Sequence, residues 1–323
     1  MNILVTAPFQ KRHMDQIRYA AGKDAVIKRF DGDLATVKGF QALREALTQC
    51  EVVIGEIPAR LLRGEGVSVK WLQSTWSGVD AYTGDNVHFP DGIMLTNAAG
   101  AYGHIISQFV VGQILAIAQN TGMYAKYQSS MAWNDLGPVM SLEGAHVLVF
   151  GAGDLGQHVA KRLSGFDVAS ITGVCRNYEE PHEGFDKLVS LSRAEQLLGQ
   201  SNVIIGCLPS TSGTVRWLGE RRLQQIKQNA ILVNVGRGDF IDCDALARIL
   251  EEGRLRGAAL DVTDPEPLPM KHPLWRCKNC LITPHSAGGA FGKSDKTEAN
   301  ITAIVCDNLH RYVEGRELVN RVL

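Results

Sequence analysis

Short apolar runs alternate with amphipathic stretches along the first hundred residues of the chain. The runs predict strands at residues 3–6, 25–30, 52–54 and 71–74, and the amphipathic stretches predict helices at residues 10–21 and 43–47. Consecutive apolar positions are typical of strands that are buried on both faces of a parallel sheet. This part of the chain is therefore predicted to form a small parallel α/β unit of its own.

A second series of the same kind follows residue 145. Strands are predicted at residues 146–150, 170–175, 202–207, 230–235, 257–262 and 280–283, with helical patterns such as 244–252 between them. An apolar helix at residues 104–118 and a polar loop at residues 134–144 join the two series. The helix is shorter than the roughly twenty apolar residues of a membrane span, so we expect it to be buried between domains or subunits.

The chain after Pro284 is predicted to return to the first unit. A glycine-rich segment at residues 286–292 precedes a long helix at 294–313 and a final strand at 318–323. We therefore expect residues 1–100 and 291–323 to form one domain and residues 101–290 a second one, with a cleft between them.

Composition and charge narrow the class of protein. The chain has 323 residues, of which 45% are hydrophobic and 21% are charged, and its net charge is −1. These values are ordinary for a soluble folded protein and exclude a disordered one. A nearly neutral charge balance provides no attraction for nucleic acid or for an acidic membrane. The apolar run at the amino terminus is too short for a secretory signal, so we expect a cytoplasmic protein.

Seven cysteines are dispersed along the chain. An odd, scattered set without a signal peptide indicates reduced thiols, as in the cytoplasm. Cys277 and Cys280 form a C-x-x-C pair with His272 and His285 nearby, which raises a metal or redox site as an alternative. Because the sequence has no second such pair, and because this one precedes an apolar strand, we favour a structural role and expect no metal.

The stretch at residues 146–163 joins a predicted buried strand, a glycine turn and a helix that begins near Leu155. Gly151, Gly153 and Gly156 fit the pattern G-x-G-x-x-G. In this pattern one glycine permits a tight turn, one leaves room for a pyrophosphate, and one lets the helix approach the strand. The unpaired N–H groups at the start of the helix attract an anion without any charged side chain. The stretch therefore predicts a dinucleotide-binding site.

Ionisable residues follow the later predicted strands, at the edge where open α/β sheets bind ligands. They are Arg237, Glu266 and His285. A guanidinium can grip a carboxylate and polarise a carbonyl group, whereas a carboxylate beside an imidazole stabilises the protonated ring that a proton donor needs. Each residue alone is compatible with a structural role, but together they predict a catalytic group.

Asp261 lies within the apolar run AALDV, where an unpaired carboxylate would be destabilising. The side chain therefore needs a partner. Two partners stay open, namely the carboxamide of a nicotinamide ring and a structural hydrogen bond to the backbone.

A set of motifs occurs in the order and spacing of a known enzyme family. The motifs are KWLQSTWSGVD, LTNAAGAY, VLVFGAGDLGQHVAKRL, CLPSTSGT, LVNVGRGDFID, GAALDVTDPEPLP, HPLW and ITPHSAGG. Through them most of the chain resembles the D-isomer-specific 2-hydroxyacid dehydrogenases, and in particular it is similar to glyoxylate/hydroxypyruvate reductases. The resemblance implies an α/β fold with a Rossmann-type doubly wound domain and a smaller flavodoxin-like substrate domain. It also implies an oxidoreductase, homodimeric through its nucleotide domain, that reduces a small 2-oxo acid to the D-2-hydroxy acid with NAD(P)H.

The resemblance further implies the roles of individual residues. His285 would be the general acid/base, Glu266 its partner, and Arg237 the clamp on the substrate, while Asp261 would contact the nicotinamide carboxamide. The substrate-binding residues would be Trp76, Ser77, Gly78 and Arg237. The other cofactor-binding residues would be Gly151, Gly153, Asp154, Leu155, Gly156, Cys175, Arg176, Asn177, Leu208, Pro209, Thr214, Val235 and Gly236.

The end of the second strand after the glycine turn departs from the usual NAD pattern. An NAD site has Asp or Glu about twenty residues beyond the turn, where it binds the ribose 2′-hydroxyl. In this chain Cys175 takes the acidic position and Arg176 follows it. The repulsion against a 2′-phosphate is thus missing and a cation is available, which favours NADP. Glu179 and Glu180 come just after, so NAD stays open.

The substrate is only coarsely predicted. Candidates for the pocket wall, by resemblance, are Ile57, Trp76, Tyr102 and Trp275. Bulky aromatic residues there would favour short acids such as glyoxylate or hydroxypyruvate. Two alternatives stay open, a phosphoglycerate dehydrogenase-like enzyme and a non-enzymatic, nicotinamide-sensing, corepressor-like binding protein. The first would call for a basic cluster, and the stretch at residues 55–80 has only scattered cations.

Overall fold

The computed structural model describes residues 1–84 and 87–323 of the chain. These residues form two compact units. One consists of Met1–Tyr102 and Gly289–Leu323, and the other of Gly103–Gly288.

Strands and helices alternate in both units. The first unit begins with β1 (Asn2–Val5), α1 (Lys11–Ala21), β2 (Val26–Arg29), α2 (Val37–Leu47), β3 (Val52–Ile54), β4 (Trp71–Gln73), α3 (Asp80–Thr83) and β5 (Met94–Thr96). The second unit has α4 (Gly103–Ala118), α5 (Thr121–Ser129), β6 (His146–Phe150), α6 (Asp154–Leu163), β7 (Ser170–Val174), β8 (Lys187–Val189), α7 (Leu191–Ala194), β9 (Val203–Gly206), α8 (Glu220–Leu223), β10 (Ile231–Asn234), α9 (Cys243–Glu251), β11 (Gly257–Leu260) and β12 (Cys280–Ile282). The first unit is completed by α10 (Asp295–Val313).

The first unit is built on a five-stranded parallel sheet in the order β2-β1-β3-β4-β5. Alternate residues of its strands are buried under opposite layers. Ile3 and Val5 pack with α1 and α10 on one face, whereas Leu4 packs with Leu43 and Leu47 of α2 on the other. Burial on both faces explains why these strands are apolar at consecutive positions. The order reverses between β1 and β3, as in flavodoxin-like sheets.

The second unit has a seven-stranded parallel sheet in the order β12-β11-β10-β9-β6-β7-β8. Val147 and Val149 of β6 pack with α4 and α6 on one face, and Leu148 and Phe150 pack on the other. The order turns around at β6, which is the Rossmann arrangement, and the neighbouring crevice lies beyond the carboxyl ends of β6 and β9. The structure confirms the predicted α/β class of both units.

Several elements lack a signal in the sequence. Strands β5 and β8 each contain only two apolar residues, Met94 and Leu95 in β5 and Leu188 and Val189 in β8. Helix α5 has no buried residue, so it carries no apolar stripe that a sequence pattern could reveal. The prediction of six strands after residue 145 is therefore wrong by one, because β8 extends the edge of the sheet beside β7.

The predicted final strand at residues 318–323 is wrong in extent. An isolated antiparallel bridge joins Thr96 to Arg321 at that point. Asn320 has a left-handed backbone with φ 55°, which interrupts an extended strand. The tail nevertheless stays with the first unit, since the N–H of Val322 donates to the carbonyl of Leu95 at 2.8 Å.

Helix α4, the most apolar stretch of the chain, packs within the second unit on α6, β10 and β11. Val110 and Ile114 are fully buried, whereas Phe109 and Leu115 on its other faces are half-buried. Among the described residues, no helix has both the length and the apolar character that crossing a bilayer requires.

Candidate active site

The glycine turn joins β6 to α6 as the sequence predicts. Gly151 has a positive φ of 105°, and a Cβ on it would lie 2.9 Å from the carbonyl oxygen of Cys207. A Cβ on Gly156 would lie 1.9 Å from the carbonyl oxygen of Gly151, so that position also admits only glycine. A Cβ on Gly153 would meet nothing within 4 Å. Gly153 is the N-cap of α6 and brings no capping side chain. The open first turn therefore fits the pyrophosphate of a dinucleotide.

His285 and Glu266 come together at the carboxyl edge of the same sheet. The Nδ1 atom of His285 lies 2.9 Å from Oε1 of Glu266, and their side chains are 52% and 43% exposed. His285 has a left-handed backbone with φ 49°. Its N–H is held by the carbonyls of Asp261 at 2.8 Å and Thr283 at 3.0 Å. A residue other than glycine keeps a left-handed backbone only where its surroundings impose it. Such strained residues are common at functional sites.

Arg237 follows β10 in a loop that Asn234 organises. The buried Asn234 accepts from the N–H of Gly236 at 3.2 Å and donates to the carbonyl of Arg237 at 2.8 Å. Nη1 of Arg237 donates to the carbonyl of Gly236 at 2.8 Å. A Cβ on Gly238 would lie 2.0 Å from the carbonyl oxygen of Thr263, so the loop packs directly on the chain that follows β11.

Asp261 is 3% exposed, and both of its carboxylate oxygens have partners. Oδ1 accepts from the hydroxyl of Thr283 at 2.6 Å and from the N–H of Ser286 at 2.8 Å. Oδ2 accepts from the N–H of Ala287 at 3.0 Å. The carboxylate thus stabilises the segment that carries His285. Oδ2 retains one lone pair, so a contact with a carboxamide is compatible with this arrangement.

The end of β7 leads into an exposed loop. Cys175 donates from Sγ to the carbonyl of Asn177 at 3.4 Å, and Arg176 is exposed. Glu179 and Glu180 are exposed as well. A residue that the sequence did not mark, His182, ties this loop to the glycine turn, with Nδ1 2.7 Å from the carbonyl of Ala152.

The loop after β9 is held by its own side chains. Thr214 is buried, donates to the carbonyl of Pro209 at 2.9 Å and accepts from the N–H of Thr211 at 2.8 Å. Asp239, two residues after Arg237, accepts a hydrogen bond from the hydroxyl of Ser210 through Oδ2. Its Oδ1 is buried and has no partner among the described residues. Asp239 therefore couples this loop to the loop of Arg237.

The remaining predicted cofactor residues lie at the same edge of the sheet. Leu208 is half-buried after β9, Val235 is 8% exposed after β10, and a Cβ on Gly236 would lie 2.6 Å from the carbonyl of Leu208. The two loops therefore pass each other backbone against backbone.

Of the predicted substrate residues, Trp76, Ser77 and Gly78 lie in the first unit, in the loop after β4, whereas Arg237 belongs to the second unit. The carbonyls of Thr75, Trp76 and Ser77 all accept hydrogen bonds, from Tyr102, Ala98 and Asn97 respectively. Of the other proposed pocket residues, Ile57 is 4% exposed and packs in the core of the first unit, and Tyr102 is half-buried and donates to the carbonyl of Thr75. Trp76 and Trp275 are each 51% exposed.

Comparisons with known proteins agree with this geometry. Residues 111–287 match the family model of the D-isomer specific 2-hydroxyacid dehydrogenase, NAD binding domain. The chain belongs to the D-isomer-specific 2-hydroxyacid dehydrogenases. A glyoxylate reductase of Thermofilum pendens is 33% identical over 261 residues, which are 73% of this chain and 72% of that protein.

Solved structures of other 2-hydroxyacid dehydrogenases have the same fold. A D-isomer specific 2-hydroxyacid dehydrogenase family protein of Aeromonas salmonicida superposes with a TM-score of 0.86 at 28% identity, covering 100% of this chain and 98% of that one. A phosphoglycerate dehydrogenase of Lactobacillus plantarum gives a TM-score of 0.57 at 28% identity, with 100% of both chains covered. The protein is thus an oxidoreductase of a nicotinamide-dependent family, and the open turn at Gly153 fits that cofactor.

Of the C-x-x-C pair of this dehydrogenase, Cys277 lies in the core of the second unit and Cys280 is partly buried against it. Burial raises the pKa of the Cys280 thiol to about 12, and the neighbouring Cys277 and Cys243 add to the shift. Burial raises the pKa of Cys277 as well. A raised pKa opposes formation of the thiolate that metal binding and disulfide exchange require. Within residues 1–84 and 87–323, no cluster of His, Cys, Asp and Glu could hold a metal ion.

Proposed function

We propose that this dehydrogenase reduces a small 2-oxo acid, such as glyoxylate or hydroxypyruvate, to the D-2-hydroxy acid. The observation that carries the proposal is the pair formed by His285 and Glu266 at 2.9 Å. The pair stands at the carboxyl edge of a sheet whose glycine turn fits a dinucleotide. The kinship with glyoxylate reductases supports the substrate class.

In this proposal, side chains of the second unit donate a proton to the carbonyl oxygen of the substrate and stabilise the negative charge that develops on it. NAD(P)H, when bound, supplies the hydride that the carbonyl carbon accepts. His285 holds a proton on Nε2 and donates it to the carbonyl oxygen, while Glu266 on Nδ1 orients the ring and stabilises its charged form. Arg237 stabilises the negative charge that develops on the oxygen.

We assign the substrate carboxylate to the loop after β4. The carbonyls of Thr75, Trp76 and Ser77 accept hydrogen bonds, whereas the N–H groups of Ser77 and Gly78 have no hydrogen-bond acceptor among the described residues. Adjacent backbone N–H groups that lack acceptors form a natural site for a carboxylate.

An assay with both reduced cofactors tests the proposal directly. The purified protein is mixed with NADPH or NADH and with glyoxylate, hydroxypyruvate, pyruvate or ketopantoate, and the absorbance of the reduced nicotinamide is followed. We expect oxidation with at least one short 2-oxo acid. If the protein binds NADPH or NADH tightly but none of the four acids oxidises the bound cofactor, the result would favour the corepressor-like binding protein instead.

A phosphoglycerate dehydrogenase-like activity is the second candidate, because of the structural neighbour from Lactobacillus plantarum. The cations that could bind a phosphorylated substrate are engaged elsewhere. Arg63 donates to the carbonyl of His88 at 2.7 Å, and the guanidinium of Arg60 stacks on the ring of Phe40 at 5.0 Å. These contacts favour the unphosphorylated acid. Reduction of NAD+ or NADP+ by 3-phosphoglycerate, followed as a rise in the absorbance of the reduced nicotinamide, would reverse that preference.

We further propose NADP as the preferred cofactor, because Cys175 stands where an NAD site has an acidic side chain and the exposed Arg176 follows it. Replacing Arg176 with alanine should weaken NADPH binding about tenfold and leave NADH binding nearly unchanged, since one charge-assisted contact to a phosphate is worth roughly 1.5–3 kcal/mol. Fluorescence titration of the reduced cofactors measures both constants. Arg193, an arginine on α7, provides a matched control as Arg193→Ala. An equal loss for NADH would show that Arg176 does not bind the 2′-phosphate.

We also propose that the protein acts as a cytoplasmic homodimer. All seven cysteines are free, as expected in a reducing compartment.

Apolar side chains are exposed in the segment that follows α5, with Met131 at 95% and Trp133 at 102%, and Phe109 of α4 is half-buried. A second copy would bury this surface. Sedimentation should therefore give about twice the 35.2 kDa of one chain, and a monomer would contradict the proposal.

A further inference from the structure

Glu56 lies at the point where the strand order of the first unit reverses. It follows β3, which pairs with β1 on one side and β4 on the other. Gly55, with φ 120°, turns the chain away from β3, and a Cβ there would lie 2.3 Å from Oγ1 of Thr6. Thr6 in turn donates to the carbonyl of Glu56 at 3.1 Å. In open α/β sheets the point of reversal is where ligands bind.

The carboxylate of Glu56 accepts hydrogen bonds from both ends of the loop after β4. Oε1 accepts from the hydroxyl of Ser74 at 2.8 Å and from the N–H and hydroxyl of Thr75 at 2.8 and 3.2 Å. Oε2 accepts from the hydroxyl of Tyr82 at 3.0 Å. Thr75 enters the loop and Tyr82 lies on α3, which follows it. One side chain therefore fixes both the entry and the exit of the loop.

The tyrosine hydroxyls around this carboxylate are held as donors. Burial raises the pKa of Tyr82, and the charge of Glu56 raises it further. Burial and then the charge of Glu56 also raise the pKa of Tyr102, which donates to the carbonyl of Thr75 at 2.7 Å. Thr75 is thus held through its N–H, its hydroxyl and its carbonyl.

The hydrogen bonds within the loop after β4 leave two backbone N–H groups without an acceptor among the described residues. The N–H of Trp76 donates to Oγ of Ser74 at 3.1 Å, and Asn97 binds the carbonyl of Ser77 at 2.8 Å. The N–H groups of Ser77 and Gly78 follow directly after this anchored stretch. The N–H of Ser77 shares a peptide plane with the carbonyl of Trp76, which accepts from the N–H of Ala98 at 2.8 Å, and the N–H of Gly78 shares one with the carbonyl of Ser77. Glu56 fixes the preceding peptide, between Ser74 and Thr75, and thereby the start of this stretch.

We propose that Glu56 is a positioning residue that directs the N–H groups of Ser77 and Gly78 toward the carboxylate of a 2-oxo acid. The inference rests on the proposed function, because it concerns the same loop. Glu56 does not touch the substrate in this scheme. It acts through Thr75 and Tyr82, and its removal weakens substrate binding more than the chemical step.

The test compares Glu56→Ala with Glu51→Ala. Glu51 precedes β3 at its other end and is also paired with a tyrosine, since it accepts from the hydroxyl of Tyr312 at 2.8 Å. For Glu56→Ala we expect KM for glyoxylate to rise about 10- to 100-fold, because small displacements of binding groups have effects of that size. The turnover number at saturation should fall less than about threefold. Glu51→Ala should leave KM unchanged.

Glu56→Gln gives the matching rescue. Its amide oxygen can still accept from Thr75, while its NH2 group can donate to the hydroxyl oxygen of Tyr82. The hydroxyl proton of Tyr82 is then donated to the carbonyl of Ile57, at 3.0 Å, instead of to residue 56. KM should therefore rise only about threefold, between the wild type and the alanine variant. Thermal unfolding of each variant shows whether it is folded. If Glu56→Ala does not fold, the KM of Glu56→Gln decides.

The outcomes separate this inference from the proposed function. A wild-type protein that reduces no 2-oxo acid overturns the proposed function and this inference with it. An active wild type together with an unchanged KM in the folded Glu56 variants overturns this inference alone. An equal rise of KM in Glu51→Ala also overturns it, since the effect would then follow from general loosening of the first unit.

Discussion

Replacing His285 with alanine should lower the turnover number by about 10²- to 10⁴-fold, which is the usual contribution of a positioned general acid or base. The 2.9 Å contact with Glu266 holds the ring through Nδ1, so Nε2 is the atom left to give a proton to the substrate. The affinity for NADPH should change less than about threefold, because the glycine turn binds the cofactor without this side chain. Stopped-flow and steady-state measurements with glyoxylate check both values.

A matched control for His285 lies at the opposite edge of the same sheet. His146 begins β6, and its Nδ1 lies 2.8 Å from the hydroxyl of Ser170. His146→Ala should keep full turnover. The turnover number of Glu266→Gln should lie between those of the wild type and His285→Ala. The amide still orients the ring of His285, but it carries no charge to stabilise the imidazolium form. Retained turnover in His285→Ala would remove this histidine from the mechanism.

The sequence predicts the fold well where the signal is local. Each central strand is a consecutive apolar run because side chains on both of its faces are buried, as for Val147 and Leu148. The glycine turn is predicted equally well, because Gly156 packs on the carbonyl of Gly151, five residues earlier in the chain. Strand β8 is missed, because its first residue, Lys187, is exposed and only Val189 is buried.

The site is predictable in part for a related reason. Parallel strands end at one edge of a sheet, so polar residues after different strands can be assigned to one place, as the contact of His285 with Glu266 confirms. Residues that act through other residues give no such signal. Glu56 contacts the chain about twenty residues further on, and an isolated glutamate after an apolar strand resembles any surface residue. Its importance becomes visible only from its partners.

For Asp261 the sequence predicts that the carboxylate needs a hydrogen-bond partner, but it does not identify that partner. The apolar run AALDV predicts the need, and it leaves open whether a nicotinamide or the protein provides the partner. The structure supplies three donors from the chain after β12, namely Thr283, Ser286 and Ala287. Since these residues flank His285 in the sequence, the buried carboxylate supports the loop that carries His285, whether or not it also contacts the cofactor.

Asp261→Ala should therefore lower the free energy of unfolding by about 3 kcal/mol, because it leaves buried donors without their charged acceptor. It should also reduce the turnover number about 100-fold, since the freed backbone no longer fixes the position of His285. Thr283→Val is the matched control. It removes one donor, at 2.6 Å, and keeps the others, so it should lower the free energy of unfolding by only about 1 kcal/mol.

Urea unfolding and cofactor titration together decide what Asp261 does. If the carboxylate mainly supports the loop, Asp261→Ala loses stability in the absence of cofactor, and the Kd for NADPH rises less than the turnover number falls. If it mainly serves the nicotinamide, the free energy of unfolding stays near that of the wild type while the Kd rises. The second result would contradict the structural role, because donors buried around a residue that is 3% exposed cannot lose their acceptor without destabilising the fold.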